Sequence, residues 1–290
     1  MKRTALVSAA VGLFLLVFWV GFVLNFPGAA LSRAIEYRIN TVPSLQVRLS
    51  PAALGWAGLE IDSFRLSVAQ PGLPQPLIVL QNVRIPIAWA LLSGLPVRAR
   101  LGKEGQLDLF IPWEEGELRV TGAGLRLEEI PALARMGPVR LRGGVSFSGR
   151  MQLSNGIRRG RLTQLPPGSL SGRADGVELS NMEIAGARLP VTRLESVRMD
   201  LKFGKRLEVE QIVFQGDLQG KVSGFIQPRL TAIKSSPLRL KLAISFRKEW
   251  LDKLGPMRQI VTSFLKNGRL EGVVRGSLAN PSLRPAGSAN

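Results

Sequence analysis

Apolar and polar residues alternate with a period of two along most of the chain from residue 44 onwards. The clearest case is residues 238–246, where Leu238, Leu240, Leu242, Ile244 and Phe246 are separated mainly by basic and hydroxyl side chains. Such alternation turns one side of an extended strand toward apolar surroundings and the other toward water. The same pattern recurs in residues 45–49, 59–61, 66–68, 107–111, 118–120, 125–127, 177–179, 197–201, 207–209 and 222–226. It predicts about a dozen half-buried antiparallel strands.

Turn-forming pairs such as Pro71-Gly72 and Asn155-Gly156 separate these segments. A Gly-x-Leu-x-Gly segment also recurs, at 168–172, 216–220 and 268–272. Glycines at such positions suit bends or bulges, although ordinary hairpin chemistry would also explain them. We therefore predict a mainly β fold: an elongated, strongly curved antiparallel sheet, open and taco-like or partly closed, with a few short helices.

Four segments have helical rather than strand periodicity. Residues 29–41 carry an apolar stripe of Leu31, Ile35 and Ile39, and this helix packs either on the sheet or on lipid headgroups. Residues 86–94 begin with proline and end with glycine, and 128–136 form a second short helix. The longest helix is predicted over 248–266, with a kink at Gly255-Pro256.

An uncharged apolar segment over residues 5–26 predicts a membrane anchor. It contains Leu13, Phe14, Leu16, Phe18, Trp19 and Phe22, and as a helix it is roughly 33 Å long. That length matches a hydrocarbon layer of about 30 Å. Lys2 and Arg3 precede it and predict a cytoplasmic N-terminus, with the remainder exported. The alternative is a cleaved signal peptide, which usually has a shorter apolar core.

The composition restricts the chemistry that the chain can perform. It has no histidine and no cysteine, which excludes serine–histidine, cysteine–histidine and thiolate-metal sites. Glu114, Glu115 and Glu117 form the densest acidic group, but their setting after Pro112 and Trp113 predicts a solvated hairpin loop. We expect a protein that is not an enzyme, with no catalytic, metal or cofactor-binding residues and no cofactor.

The net charge of +18 suggests an anionic partner or a basic surface facing a negatively charged membrane. Nucleic acid is not expected, because aromatic residues make up only 6% of the chain and export would separate it from nucleic acid. Binding through the sheet is the remaining mechanism. Residues Leu238, Leu240, Leu242, Ile244 and Phe246 are the candidate apolar groove face, with a plain structural core as the alternative.

The order and spacing of several segments resemble the type II secretion system protein N (GspN) family. These segments are the anchor end 25–31, Leu54-Gly55-Trp56, the insert 88–94 leading to 97–101, Pro190 to Leu194, and the three Gly-x-Leu-x-Gly segments. The resemblance implies an accessory protein of the Gram-negative type II secretion apparatus, single-pass in the inner membrane, with other secretion-apparatus proteins as partners. The strand style also resembles the AsmA-like superfamily, which implies binding of phospholipid or lipopolysaccharide.

The resulting organisation has five parts. They are a cytoplasmic tail (1–4), a transmembrane helix (5–26), an amphipathic connector helix (27–43), a periplasmic β-rich domain (44–278) and a disordered tail (279–290). Two functions follow: a secretion-apparatus accessory that docks with neighbours, or a lipid-binding module that acts through an apolar groove.

Overall fold

Seventeen strands dominate the part of the chain that the structure describes. The computed structural model describes residues 21, 25–41, 45–55, 58–68, 76–86, 94–114, 116–134, 139–152, 166–184, 187–229 and 235–285. The strands are β1 (Leu45–Leu49), β2 (Ala52–Leu54), β3 (Gly58–Val68), β4 (Ile78–Pro86), β5 (Gly94–Leu101), β6 (Gly105–Pro112), β7 (Glu117–Arg126), β8 (Arg140–Gln152), β9 (Gly168–Ser180), β10 (Glu183–Ile184), β11 (Ala187–Arg188), β12 (Thr192–Phe203), β13 (Leu207–Gly216), β14 (Leu218–Ile226), β15 (Pro237–Phe246), β16 (Arg269–Ser277) and β17 (Pro281–Pro285).

Fifteen of these strands form one antiparallel sheet. Its order is β1-β3-β4-β5-β6-β7-β8-β9-β12-β13-β14-β15-β16-β17, with β2 also paired to β3. Most strands therefore pair with their neighbours in sequence, and β10 and β11 form a separate small hairpin between β9 and β12. Strands β1 and β17 are the two edges and do not pair with each other, so the sheet is open. The predicted mainly β, antiparallel fold is confirmed, with more strands than the alternation indicated.

The first helix, α1 (Gly28–Asn40), lies along the edge strand β1. Three of its side chains, spaced four residues apart, bond to backbone groups at this edge. The Ser32 hydroxyl donates to the Ser50 carbonyl and accepts from the Ala52 N–H, both at 2.9 Å. Glu36 accepts from the Leu49 N–H, and the Asn40 amide bonds both the N–H and the carbonyl of Val47. Helix α1 thus forms hydrogen bonds with backbone groups that would otherwise be available to an added strand.

A small core joins α1 to the first strands. Ala52, Ile61, Val83 and Ala99 are buried together, with Phe26 and Leu31 among the residues that pack against them. Gly28 approaches β2 so closely that a Cβ atom there would clash with the Ala52 carbonyl oxygen. The start of α1 is therefore fixed directly on the sheet.

The remaining helices are short. A 3-10 turn (Leu127–Glu129) and α2 (Pro131–Ala134) follow β7, while α3 (Lys248–Asp252) and α4 (Met257–Ser263) follow β15. The break between α3 and α4 lies at the predicted kink, where Gly255 has a φ of +54°. The helix predicted over 86–94 falls largely outside the described residues, and its two end residues belong to β4 and β5.

The prediction of a disordered tail from residue 279 is wrong for Pro281–Pro285, which form β17. This strand pairs with β16, and the Ser282 hydroxyl donates to the Arg275 carbonyl at 3.1 Å. The two prolines suggested disorder, but proline is tolerated on an edge strand because one side of that strand needs no donor.

Among the described residues, no helix has the length and apolar character needed to cross a membrane. The predicted anchor residues Leu13, Phe14, Leu16, Phe18, Trp19 and Phe22, and the topology residues Lys2 and Arg3, lie outside the described residues.

Candidate functional site

One face of the sheet carries rows of apolar residues that continue from strand to strand, and we call it the apolar face. Residues paired directly across an antiparallel ladder point to the same side, so the register defines each row. The first row crosses eleven strands: Val97, Leu109, Val120, Gly149, Leu170, Leu201, Val209, Gly224, Leu240, Val274 and Leu283. No polar side chain interrupts it.

Two further rows lie on the same face, the second next to the first and the third beyond the second. The second is Ala99, Leu107, Gly122, Phe147, Gly172, Met199, Ile212, Val222, Leu242 and Gly272. The third is Leu125, Val145, Ala174, Val197, Phe214, Gly220, Ile244 and Leu270. Glycines appear beside large side chains: a Cβ atom at Gly122 would lie 2.6 Å from the Phe147 ring. The small residues therefore make room for the large ones within one layer.

Most side chains in these rows remain partly exposed. Val209 in the first row is 5% exposed, but Leu109, Leu170, Leu201 and Leu240 are only half-buried. A sheet sandwiched between two layers would bury such residues completely. Among the described residues, the middle of this face is therefore not covered by a second layer, and it offers apolar area to a ligand or partner.

The candidate groove residues Leu238, Leu240, Leu242, Ile244 and Phe246 all lie on the apolar face of β15. Leu240 and Leu242 belong to the first two rows, and Ile244 belongs to the third. Leu238 is 7% exposed, whereas the other four are half-buried. The structure thus brings these five residues together with the apolar residues of the neighbouring strands.

Secondary elements cover the apolar face near each end of the strand order. Phe26 and Leu31 pack at the β1 side, and α3 and α4 lie across the end of the sheet near β12 to β17. Two contacts fix α3 there: the Arg247 N–H donates to the Asp217 carbonyl at 2.9 Å, and the Trp250 ring stacks on Phe246 with centroids 5.4 Å apart. Trp250 is 4% exposed.

A pocket of about 490 Å³ lies under these two helices. Its helical wall consists of Trp250, Met257, Val261 and Phe264. Its floor consists of Leu218, Phe246 and Leu270, while Met182 and Leu189 from the hairpin segment and Leu283 from β17 complete it. The volume is within the range of about 300–1,000 Å³ usual for small-molecule sites. All ten side chains that line it are apolar, apart from the indole N–H of Trp250.

The opposite face is polar and rich in ion pairs. Arg98 bonds Asp108 at 3.5 Å, Arg84 bonds Glu60 at 3.2 Å, and Glu117 lies within reach of both Arg119 and Arg150. These pairs are solvent-exposed, so each contributes little to stability. The basic excess of the chain is displayed partly on this face.

Two groups on the polar face have shifted pKa values. Hydrogen bonds from Gln211 and Ser171 stabilise the charged form of Asp200 and hold the pKa of that carboxyl below its usual value. A hydrogen bond to Glu210, together with its charge, raises the pKa of Lys202. Lys202 is exposed on the polar face, whereas Asp200 is half-buried and lines a shallow depression there with Ser148 and Ser171.

The acidic cluster does not form a concentrated site. Glu114 is exposed after β6, Glu117 lies within β7 and is ion-paired, and Glu115 lies outside the described residues. Among the described residues, no group of three or more Asp or Glu side chains could hold a metal ion. No cofactor-binding arrangement emerges from these residues.

Sequence reasoning missed the residues of the pocket apart from those of β15 and the C-terminal helices. Met182 and Leu189 flank a hairpin too short for a periodic signal, and Leu283 was assigned to the tail. The helix predicted over 248–266 does include Trp250, Met257, Val261 and Phe264. No known family model, curated protein or solved structure matches the chain.

Proposed function

We propose that this chain is a non-catalytic accessory component of the bacterial envelope that works by binding through the apolar face, and that the system it serves is type II protein secretion. The observation that carries the binding role is the continuity of the first apolar row across eleven strands. Burying such a surface would release roughly 25 cal/mol per Å² of apolar area. A partner that covers the half-buried leucines of this face would gain that stabilisation.

The sheet edges are less suited to binding than its face. Helix α1 occupies backbone groups of β1 through Glu36 and Asn40, and those of Ser50 and Ala52 through Ser32. At the other edge, Pro281 and Pro285 have no N–H to donate to an added strand. Both edges therefore discourage strand addition, which leaves the apolar face as the working surface.

The secretion role is supported by the GspN-like order of segments in the sequence. In the structure, Gly168 begins β9, Gly216 ends β13 next to Leu218 of β14, and Gly268 directly precedes β16. The third and fifth residues of each Gly-x-Leu-x-Gly segment, such as Leu170 and Gly172, lie on the apolar face. An inner-membrane anchor with the sheet in the periplasm is part of this proposal.

A second candidate function is lipid handling by an AsmA-like apolar groove, and the pocket beneath α3 and α4 favours it. Strands β12 and β17 are five positions apart in the sheet, roughly 24 Å if it were flat. Nevertheless Leu189, just before β12, and Leu283 of β17 line the same pocket. This supports the strongly curved sheet that a groove requires.

A deletion strain of the native host distinguishes between the secretion role and lipid handling. Loss of a discrete set of folded exoproteins from the culture supernatant, with unchanged outer-membrane permeability, is expected for the secretion role. Normal secretion with a detergent-sensitive envelope would refute that role and leave lipid handling.

The working surface is tested by complementation of the same strain. The double variant Leu240→Asp/Leu242→Asp places two charges on the apolar face of β15 and should not restore the phenotype. The control Arg239→Asp/Lys241→Asp introduces the same two carboxylates on the polar face of the same strand and should restore the phenotype. Full complementation by the first variant, at the wild-type level of protein in the membrane fraction, would contradict the proposal.

A further inference from the structure

The pocket under α3 and α4 lies at the end of the apolar face that these two helices cover. Its floor residue Leu270 ends the third apolar row, and Leu218 and Phe246 are paired to each other one step beyond that row. A ligand that lies along the open part of the face can therefore continue into the pocket without crossing a polar group.

The polar groups around the pocket are already paired. The indole N–H of Trp250 is the one N–H or O–H among the lining side chains, and it donates to the Thr192 hydroxyl at 3.0 Å. Among the described residues, no buried side-chain nitrogen or oxygen lacks a hydrogen-bond partner. A polar ligand group entering the pocket would consequently lose water without gaining a side-chain partner.

Because the polar groups around the pocket are already paired, a hydrocarbon chain fits the pocket better than a peptide does. A protein segment carries backbone N–H and carbonyl groups that each need a partner when buried. A hydrocarbon chain carries none, and methionine, leucine and phenylalanine side chains adapt well to its irregular surface. The pocket chemistry therefore fits an alkyl chain.

The mouth of the pocket indicates what is attached to that chain. Phe264 is 52% exposed and Leu283 is 45% exposed, so apolar side chains extend to the rim. The surrounding segment 247–266 carries five Lys or Arg residues and two acidic ones, and Lys248 and Lys253 are exposed. A positively charged surface beside an apolar opening is complementary to an amphiphile with a phosphate head group.

We infer that this pocket holds one acyl chain of a membrane phospholipid, with the phosphate outside, near the basic surface of α3 and α4. The inference rests on the proposed binding role of the apolar face and assigns one end of that face a ligand. It requires no chemistry on the lipid, since the chain is held by burial alone.

The test uses the full-length protein in an amphipathic polymer. Phosphatidylglycerol with a diazirine at the end of one acyl chain is supplied from vesicles, and the protein is irradiated and digested. Mass spectrometry then locates the labelled residues. We expect labelling concentrated in segments 246–270 and 214–220, which contain the helical wall and the floor.

Val261→Trp fills the pocket from α4 and should lower this labelling by about tenfold, the loss expected when roughly two methylene groups leave the pocket. Thr262→Trp adds the same side chain at the exposed next position of α4 and should leave labelling unchanged. Phe264→Asp at the exposed rim is a second variant with little effect on folding, and it should also reduce labelling.

The outcomes separate the pocket from the wider proposal. Labelling on β15 and its neighbours but not around the pocket would overturn this inference and leave the role of the apolar face intact. Equal labelling of the wild type, Val261→Trp and Phe264→Asp would also overturn the inference. An absence of labelling on the entire sheet would contradict lipid binding by the face as well, whereas secretion in the deletion strain tests the accessory role independently.

Discussion

The indole N–H of Trp250 donates a hydrogen bond to the hydroxyl oxygen of Thr192 at 3.0 Å, joining residues 58 positions apart. Thr192 is fully buried at the start of β12, and Trp250 is 4% exposed in α3. The bond ties the helix that follows β15 to a strand three positions away in the sheet. It therefore fixes α3, which carries part of the helical wall of the pocket, to the start of β12.

Thr192→Val should destabilise the protein because it keeps the shape of the side chain but removes the acceptor. The buried indole N–H would then be unpaired, at a cost of about 1–3 kcal/mol. Urea unfolding followed by tryptophan fluorescence measures the loss. Thr192→Ser keeps the hydroxyl and should cost less, so equal losses in the two variants would show that the hydrogen bond is not the cause.

The polar stripe of α1 is expected to keep the chain from associating through its β1 edge. The triple variant Ser32→Ala/Glu36→Ala/Asn40→Ala frees the N–H groups of Val47, Leu49 and Ala52. Unpaired edge groups promote strand pairing between molecules. Light scattering after size-exclusion chromatography should then show dimers or larger species.

The matched control for this edge is Arg33→Ala/Tyr37→Ala, which alters exposed positions of the same helix. Tyr37 is 76% exposed and should tolerate the change. If the control associates as strongly as the triple variant, truncation of the exposed helix surface rather than loss of edge protection would be the explanation.

Gly224→Ala should be strongly destabilising because of its place in the first apolar row. Its φ is +142°, and a Cβ atom would clash with the Arg239 carbonyl oxygen of the paired strand β15. Strained backbone alone costs about 1–3 kcal/mol, and the clash adds to that. Gly176→Asn is the control, since Gly176 has a φ of +61° with nothing within 4 Å of an added Cβ, and asparagine tolerates that conformation. A similar melting temperature for both variants would contradict the prediction.

The hydrogen bonds to Asp200 predict a pH dependence of stability. Because the folded pKa lies below the usual value near 3.8, the stabilisation is present above that value and is lost as the pH falls through the folded pKa. Asp200→Asn should therefore unfold at lower urea than the wild type at pH 6, with the difference shrinking as the pH falls below the usual value. A difference that stays constant over this range would argue against a role for the charged carboxylate.

The alternating strands were the part of the fold that the sequence predicted best. Leu238 to Phe246 carries a period of two over nine residues, and these residues form nearly all of β15. Such signals also predicted that consecutive strands would be antiparallel and joined by short turns. Most strands pair with the next strand in the chain, so few pairings between strands distant in sequence had to be predicted.

The missed features depend on contacts that local patterns do not encode. The stripe of Ser32, Glu36 and Asn40 is polar, so periodicity emphasised Leu31, Ile35 and Ile39 instead. Strand β17 was hidden by Pro281 and Pro285, although Leu283 pairs with Val274 in the first row. The pocket joins segments about 100 residues apart, from Met182 to Leu283, and nothing in either segment specifies the other.

The consecutive pairing of strands also determines how the molecule can be assembled and altered. Each added hairpin needs only the preceding strand as a template, so loop-closure costs stay low for a protein with this much β structure. Early strands can pair while later ones are still being synthesised. Helices α3 and α4 can then cover the last strands of the sheet. A hairpin inserted or removed in the middle would change the length of the sheet while leaving the helix-protected start and the helix-covered end unchanged. The architecture therefore allows the length of the sheet to change by whole hairpins.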